Sequence, residues 1–455
     1  PRRAHLYADG IPRSNIVGRM GLHRRDSLEP AVPAVGTDPQ LDTKSREIQM
    51  VLSRKPYVVV PRACRPRLAR PALYSSLGAV LALWGSRAWA QPFSVRDSAG
   101  IRIASNAARS AAPVAFKLAD KPLIRVGGLE NDPDVELNSR NVAMTGVRLA
   151  SGGFVVAERV RLQFFDANSK RLKILGSHGA GPQEFQRISY MCRTHGDTLV
   201  ILDDANGRLA IVDGRKMEFV RTIPTMHYGD LVENACFEDG TFLMVHQAGP
   251  TAPVQHLYRL RIDGTLVTDL GDFPRPHGET LAPVFVRFNA FGNQFVLGNT
   301  LTNDVQFYSP TGKLTRIVRS SDVPVRTTDS ELRAIATRHV PDPNMPASQR
   351  TALINRWLSQ TQLKYWPPHF LVLSDGTGGV WVQDYIPGRN WNTAPWTAFD
   401  SSGKLTGRLV IPEAPKGQFA TWVTGFGPNE ILLRTYDADG AAYLSVYPLV
   451  QVTKN

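Results

Sequence analysis

Four polar residues stand at the same point of a recurring strand pattern and are candidates for metal binding. Each comes at or just after the end of a short apolar run: Glu158, Asp203, His246 and Asn299. Carboxylate and amide oxygens are the ligands that hard cations prefer, so a fold that gathers these side chains around one opening could hold a divalent cation such as calcium. The alternative is that each side chain only ends its strand in a turn. No cofactor is certain from this pattern.

A second candidate site is the segment 384–392, which interleaves aromatic, basic and polar side chains. Asp384, Tyr385, Arg389 and Trp391 include the residue types that dominate binding hot spots. An aromatic ring can stack on a sugar or a peptide while a guanidinium pairs with an anion. We therefore predict that these four bind a protein, small-molecule or glycan ligand. The alternative is that Tyr385 and Trp391 pack against the segment 321–370.

Common catalytic and nucleic-acid signatures are missing, so the catalytic residues are unknown. The histidines show no zinc spacing, and no Gly-x-Ser-x-Gly elbow occurs. The formal net charge of +13 comes mostly from residues 1–90, with 15 Lys and Arg against 6 Asp and Glu, while residues 91–455 hold 38 against 34. This distribution gives no argument for a nucleic-acid partner.

The elements that must position these residues form a repeat. Six segments show a strand, a polar loop, a second strand that ends near Asp, and a tight turn. Their anchoring strands define repeats 1 to 6 and lie at 153–158, 198–203, 241–246, 294–299, 379–384 and 430–435. Turns such as Asp263-Gly264 place Gly where a hairpin needs positive φ. Short sheets that are apolar on both faces become stable when they pack radially.

We therefore predict an all-β fold for residues 91–455, a six-bladed β-propeller of four-stranded blades. The last repeat ends soon after its third strand, so its outer strand must come from elsewhere. Residues 123–127 resemble the outer strand of repeat 1, and we predict that this N-terminal strand closes the last blade. The insertion 321–370, before the fifth blade, has apolar spacing closer to helical. It is expected to be a helical cover over one face, or a lid.

Two motifs resemble the NHL-repeat type of six-bladed β-propeller, and especially the exported bacterial six-bladed propeller proteins. Residues 176–185 are similar to the family's Gly-rich link, which ends in Gly-Pro-x-Glu-Phe. Residues 203–213 are similar to its Asp…Asn-x-Arg-hydrophobic strand pair. The likeness is strong in repeats 1 and 2 and only a pattern in the others. It implies the fold. The likeness to six-bladed lactonases, which hold a metal in the central channel, is architectural only.

The first 90 residues look like a leader. Residues 1–70 are basic and lack apolar periodicity, which predicts a disordered arm or mis-assigned upstream translation. Residues 71–90 match a signal-peptide core and cleavage region, with small Ala88 and Ala90 before Gln91. We expect export to the periplasm or secretion, with no membrane span after cleavage.

Two cysteines follow the leader, Cys192 and Cys236, 44 residues apart. This is about one repeat, which places them at similar points of neighbouring repeats. A disulfide is possible in an oxidising compartment, but we expect two inert buried thiols.

These observations favour an exported, monomeric β-propeller that binds a ligand or a protein partner at one face of the ring, or serves as a scaffold. The alternative is a metal-dependent hydrolase or lyase, lactonase-like, with its site in the central channel. The sequence leaves open whether the protein is an enzyme, since a propeller can host binding, scaffolding or hydrolysis.

Overall fold

A computed structural model describes the part of the chain after the leader. The described residues are 93–128, 137, 145–225, 231–246, 252–275, 286–340, 342, 344–361, 363–387, 391–412, 421–437 and 441–452. The predicted leader and signal peptide therefore lie outside the described residues. Within these residues no helix is both long enough and apolar enough to cross a membrane.

Four short strands come first in the chain: β1 (Ser94–Ser98), β2 (Ile101–Asn106), β3 (Val114–Leu118) and β4 (Ile124–Gly127). Repeats 1 to 3 then follow as three antiparallel sheets of four strands each. Their strands are β5 (Thr145–Arg148), β6 (Phe154–Ala157), β7 (Leu162–Phe165), β8 (Arg171–Leu175), β9 (Ile188–Arg193), β10 (Thr198–Asp203), β11 (Arg208–Asp213), β12 (Glu218–Pro224), β13 (Leu231–Cys236), β14 (Thr241–His246), β15 (Val254–Arg261) and β16 (Leu266–Pro274).

Repeats 4 to 6 form two larger sheets, because the N-terminal strands join them. Repeat 4 supplies β17 (Val286–Phe291), β18 (Gln294–Asn299), β19 (Asp304–Tyr308) and β20 (Leu314–Ser320); repeat 5 supplies β21 (His369–Ser374), β22 (Val380–Asp384), β23 (Trp396–Phe399) and β24 (Leu405–Leu409); repeat 6 supplies β25 (Trp422–Phe426), β26 (Glu430–Tyr436) and β27 (Ala442–Gln451). β1 and β2 extend repeat 4 to six strands, whereas β3 unites repeats 5 and 6 in one sheet, to which β4 adds a ninth strand beside β27. The fold is all-β and propeller-like, with five hydrogen-bonded sheets among the described residues.

The predicted pairing of residues 123–127 with the last repeat is confirmed, because β4 pairs with β27 from Tyr443–Gly127 to Val446–Ile124. The three strands before it, β1 to β3, were not predicted from the sequence. β2 pairs in parallel with β20, while β3 lies between β24 and the far end of β27. The segment 94–127, here called the strap, therefore covers the outer edges of repeats 4, 5 and 6 in turn. Covering an edge strand removes unpaired backbone groups from solvent.

Buried apolar clusters join the repeats in a closed succession. Because successive side chains of a strand point to opposite faces, Val155 packs against repeat 2 while Phe154 packs against repeat 6. Five clusters link repeats 1 to 2, 2 to 3, 3 to 4, 4 to 5 and 5 to 6, and a sixth links repeat 6 back to repeat 1. An ion pair between Arg148 and Glu430 (3.4 Å) crosses this last junction.

One edge of the sheets, here called the link face, carries the ends of the second strands and the starts of the first strands. The register shows this in three repeats, where Thr145 lies opposite Ala157, Val286 opposite Asn299, and His369 opposite Asp384. The chain therefore crosses from one repeat to the next at this face, and the insertion between β20 and β21 also leaves from it.

The predicted helical insertion is present as α1 (Asp329–Arg338) and α2 (Ala347–Gln360). α1 begins with a capping box, in which Thr328 and Glu331 each bond the other's backbone N–H. The two helices bury Leu332, Ile335 and Ile354 against Trp366 in a cluster of their own.

The expectation of two free thiols was wrong. Cys192 and Cys236 form a disulfide with their Cα atoms 5.7 Å apart. Cys192 lies on β9 and Cys236 on β13, the first strands of repeats 2 and 3, so the bond ties neighbouring repeats together. The spacing of one repeat had placed the pair correctly, but sequence alone could not supply the distance that decides the bond.

Candidate functional site

Asp203 is fully buried at the end of β10 and is surrounded by hydrogen-bond donors. Its Oδ1 accepts the backbone N–H groups of Arg187 (2.9 Å) and Gln186 (3.2 Å), and its Oδ2 accepts Nδ2 of Asn206 (2.7 Å). Arg208 Nε lies 3.3 Å from the same Oδ2. The carboxylate thus holds the link that crosses from repeat 1 to repeat 2.

Arg208 completes this arrangement by donating to the carbonyls of Gly181 (2.8 Å) and Glu184 (2.6 Å). Glu184 in turn accepts the N–H of Gly181 (2.8 Å), and a Cβ on Gly179 would lie only 2.0 Å from its carboxylate. Phe185, the last residue of the link, is fully buried between the two repeats. The Gly-rich link and the Asp…Asn-x-Arg strand pair are therefore two halves of one structural unit.

The other three predicted metal ligands lie at comparable strand ends. Glu158 is 3% exposed and forms an ion pair with Arg161. Asn299 accepts the N–H of Leu301 (2.9 Å) in a turn. His246 ends β14, directly opposite His256. Across the described ranges, no three His, Cys, Asp or Glu side chains are grouped as metal ligands. Calcium binding by these residues remains a prediction.

In the second candidate site the structure describes Asp384 and Tyr385, whereas Arg389 lies outside the described residues. Of Trp391 only the backbone is described, in a short 3-10 helix (Trp391–Thr393). Asp384 bonds Arg408 (2.7 Å) and lies 3.4 Å from Arg109 Nε. Burial raises the pKa of Asp384, against the opposing charges of the two arginines.

Arg109 connects the strap to the insertion. Its guanidinium is almost fully buried and meets Asp322 (3.0 Å), where the insertion leaves the sheet, and the carbonyl of Pro368 (2.5 Å), where the insertion returns. Burial, helped by the positive charge of Arg109, lowers the pKa of the neighbouring His369 to about 3, so this imidazole is neutral. The predicted ligand residue Asp384 thus belongs to a buried ionic network at the base of the insertion.

Tyr385 packs on the insertion rather than standing free. Its ring lies 5.9 Å from that of Trp366, at the border of the helical cluster. Burial raises the pKa of Tyr385 to about 12. This is the packing alternative that the sequence analysis left open, and ligand contact by Tyr385 remains a prediction.

A cleft of about 220 Å³ opens beside this cluster. The turn after β18 lines one side with Thr300 and Leu301, and the segment 363–367 lines the other. This site was not predicted from the sequence, because its two segments lie more than sixty residues apart, one in repeat 4 and the other in the insertion. The available signal was Tyr365-Trp366, an aromatic pair in the insertion followed by two prolines.

Two inner strands interact electrostatically across an intervening repeat. Tyr190 lies on β9 and Arg287 on β17, the first strands of repeats 2 and 4. Burial raises the pKa of Tyr190 to about 12 and lowers that of Arg287, and each charge partly offsets the shift of the other. Arg434 lies over the ring of Trp422 (4.7 Å) in repeat 6. The first strands of repeats 2 and 4 therefore face a shared interior.

No known protein-family model and no curated protein match this chain. Solved structures are similar to it at low identity. A protein from Bacteroides fragilis that is inferred to be exported covers 77% of this chain and 100% of its own, with 9% identity and a TM-score of 0.48. Regucalcin, a calcium-binding protein from Agrobacterium tumefaciens, covers 74% and 96%, with 12% identity and a TM-score of 0.34.

Virginiamycin B lyase from Staphylococcus aureus covers 73% of this chain and 99% of its own, with 8% identity and a TM-score of 0.36. Because these identities and TM-scores are low, the evidence for a propeller-like fold is the strand pairing and the apolar clusters of this chain itself.

Proposed function

We propose that this protein is an exported six-bladed β-propeller that binds a ligand or a protein partner on its link face. Dividing the nine-stranded sheet beside β3 gives β21–β24 as one four-stranded unit, and β25–β27 with β4 as another. Together with repeats 1 to 4 this makes six units. The six clusters that join consecutive repeats support the same number.

The observation that carries the binding proposal is the cleft between Leu301 and the segment 363–367 on this face. Binding sites are concave and mostly apolar, with a few polar groups that fix orientation. Here Leu301, Trp366 and Pro367 supply the apolar surface, while Thr300 and Lys364 supply polar groups. The volume is below the roughly 300 Å³ at which cofactor and drug sites begin, so the cleft suits a single side chain or sugar ring within a larger contact.

The metal-dependent alternative receives less support from the same face. Asp203, Glu158 and Asn299 each use an oxygen atom in bonds that hold local structure. A cation at Asp203 would compete with two backbone donors and with Arg208. Metal binding by these residues would therefore require their present hydrogen bonds and ion pairs to break. Ligand binding in the cleft requires no such rearrangement.

Glycan and random-peptide arrays probed with the full chain would test the binding proposal. Leu301→Ser should weaken the ligands found by about tenfold or more, as expected for an anchor side chain. The matched control is Leu172→Ser on β8, because Leu172 and Leu301 are 50% and 52% exposed. Equal effects of the two changes, or no effect of Leu301→Ser on any ligand, would refute the proposed site.

Export is tested separately by cell fractionation with sequencing of the mature N-terminus. We expect the protein outside the cytoplasm and beginning at Gln91. Recovery of an uncleaved cytoplasmic chain would refute this part of the proposal.

A further inference from the structure

Two exposed apolar side chains, Leu301 and Tyr365, line the cleft, and two more, Val323 and Val325, lie in the segment where the chain enters the insertion. Val323 is 83% exposed, Val325 57%, Leu301 52% and Tyr365 45%, and together they are here called the rim. Bulky side chains scattered singly over a surface need no explanation, whereas a contiguous group beside a cleft is typical of a contact surface. Val323 has the highest exposure of the large apolar residues described.

The backbone beneath the rim is held in one conformation. The chain segments at the two ends of the insertion, here called its stems, pair with each other. Arg326 of the first stem and Tyr365 of the second lie directly opposite in an antiparallel bridge. The N–H of Trp366 donates to the carbonyl of Val325 (2.8 Å), and that of Thr327 donates to the carbonyl of Lys364 (3.2 Å). Arg109 fixes both stems at their base. A preorganised surface loses less conformational entropy when a partner binds.

Two exposed basic side chains are neighbours of rim residues in the sequence: Arg326 follows Val325, and Lys364 precedes Tyr365. Neither forms an ion pair with any described residue. Asp304 is already paired with Arg319 (2.7 Å) and Asp322 with Arg109 (3.0 Å), while the carboxylate of Glu331 accepts the N–H and the hydroxyl of Thr328 (3.0 and 2.8 Å). Since residues opposite each other in an antiparallel pair are about 5 Å apart, Arg326 lies beside Tyr365. Lys364 and Tyr365 both line the cleft, so a segment bound there lies within reach of both cations.

We propose that the rim binds an extended segment of another protein in which Asp or Glu stands next to bulky apolar residues. An apolar side chain would enter the cleft beside Leu301, and a carboxylate would pair with Arg326 or Lys364. Neutral sugars stack on aromatic faces, yet three of the four rim side chains are aliphatic and suit the side chains of a peptide. This inference rests on the proposed function and names the partner for the same site.

The test uses fluorescein-labelled peptides about twelve residues long that alternate Leu with Glu. Control peptides replace either Glu by Lys or Leu by Gly, and binding to the full chain is followed by fluorescence anisotropy. We expect the Leu–Glu peptide to bind about tenfold more tightly than either control, because the apolar contact and the ion pair both contribute. Equal binding of all three peptides would overturn the proposal.

Charge reversal provides the decisive comparison. Arg326→Glu combined with Lys364→Glu should weaken the Leu–Glu peptide by about tenfold and create binding of the Leu–Lys peptide. The matched control, Lys170→Glu with Lys173→Glu, makes the same change in net charge at the exposed Lys170, just before β8, and Lys173, on β8, and should alter neither. Identical effects of the two pairs, or unchanged binding after reversal at the rim, would overturn the proposal.

Three further outcomes separate this inference from the proposed function. If array ligands depend on Leu301 but the Leu–Glu peptide neither binds nor competes with them, the partner class is wrong and the site stands. If vesicles of anionic lipid bind through Arg326 and Lys364 while peptides do not, the partner is a membrane surface and the inference fails. If no ligand depends on Leu301, the site itself is wrong.

Discussion

Replacing Asp203 by Ala should destabilise the protein far more than replacing its neighbour Asp204. Asp203 is 0% exposed and accepts hydrogen bonds from two backbone N–H groups, from Asn206 and from Arg208. Asp204 forms one bidentate ion pair with Arg187 (2.7 and 2.9 Å) at the surface. Removing the Asp203 carboxylate would leave four donor groups without this acceptor, whereas removing that of Asp204 would leave only the guanidinium of Arg187.

The expected loss can be estimated from these contacts. The two backbone donors belong to exposed residues that water can reach, so each costs about 1 kcal/mol. The guanidinium of Arg208 is 14% exposed and keeps its carbonyl partners but loses its counter-charge, which adds about 2 kcal/mol. Asp203→Ala should therefore lower the free energy of unfolding by about 4 kcal/mol. For Asp204→Ala we expect less than about 1 kcal/mol, because exposed ion pairs contribute little.

Urea unfolding followed by tryptophan fluorescence measures both values, with and without calcium. If Asp203 only holds the link, calcium leaves the difference between wild type and variant unchanged. If Asp203 is a cation ligand, calcium stabilises the wild type and the variant loses that gain. Our reasoning would be refuted by a loss for Asp203→Ala no larger than that for Asp204→Ala, or by a calcium gain that depends on Asp203.

Two other predictions concern the disulfide and a surface histidine. Replacing Cys192 and Cys236 together by Ala should cost about 2–4 kcal/mol in the same assay, and adding a reductant should leave that variant unchanged but weaken the wild type; equal stability of the two proteins would contradict this. His256 Nδ1 and Nε2 each lie 2.7 Å from a carboxylate, of Asp272 and Asp269. Burial alone would lower the pKa of His256, but the two aspartates together raise it above 6.5. The wild type should therefore be more stable than His256→Gln below about pH 6.5, and lose that advantage as the pH rises through the raised pKa. The gain is under about 1 kcal/mol because both aspartates are exposed. A stability difference that does not change between pH 5 and 9 would contradict it.

The sequence predicted the repeat and its closure because both depend on local patterns. Alternating apolar residues and glycine turns mark each strand, and the missing outer strand of repeat 6 could be matched to residues 123–127 by likeness alone. The extra strands of the strap could not be found this way. β1 is exposed at all five residues, so it carries no apolar pattern that distinguishes it from a loop.

The candidate sites were harder to predict, because a polar residue at a strand end has the same signature whether it binds a ligand or a neighbouring loop. Asp203 shows the difficulty, since its donors come from the link before it and from the turn after it. Asp384 is a stronger case, because its partner Arg109 lies 275 residues earlier in the chain, in the strap. Only the folded arrangement shows that these carboxylates are already engaged.

The position of Arg109 also links the binding surface to the closure of the fold. The last strand of the strap, β4, joins the last repeat, and Arg109, between β2 and β3 in the middle of the strap, holds both stems of the insertion. Three rim residues, Val323, Val325 and Tyr365, lie on those stems, and the fourth, Leu301, lies in the turn after β18 of repeat 4. A strap that detached from β20 and β24 would therefore release the insertion and separate the two sides of the cleft. A buried ion pair adds little net stability relative to apolar packing, because removing the charges from water costs about as much as their attraction gains. The position of the network around Arg109, between the strap and both stems, therefore points to a role in fixing the geometry of the rim rather than in holding the sheets together.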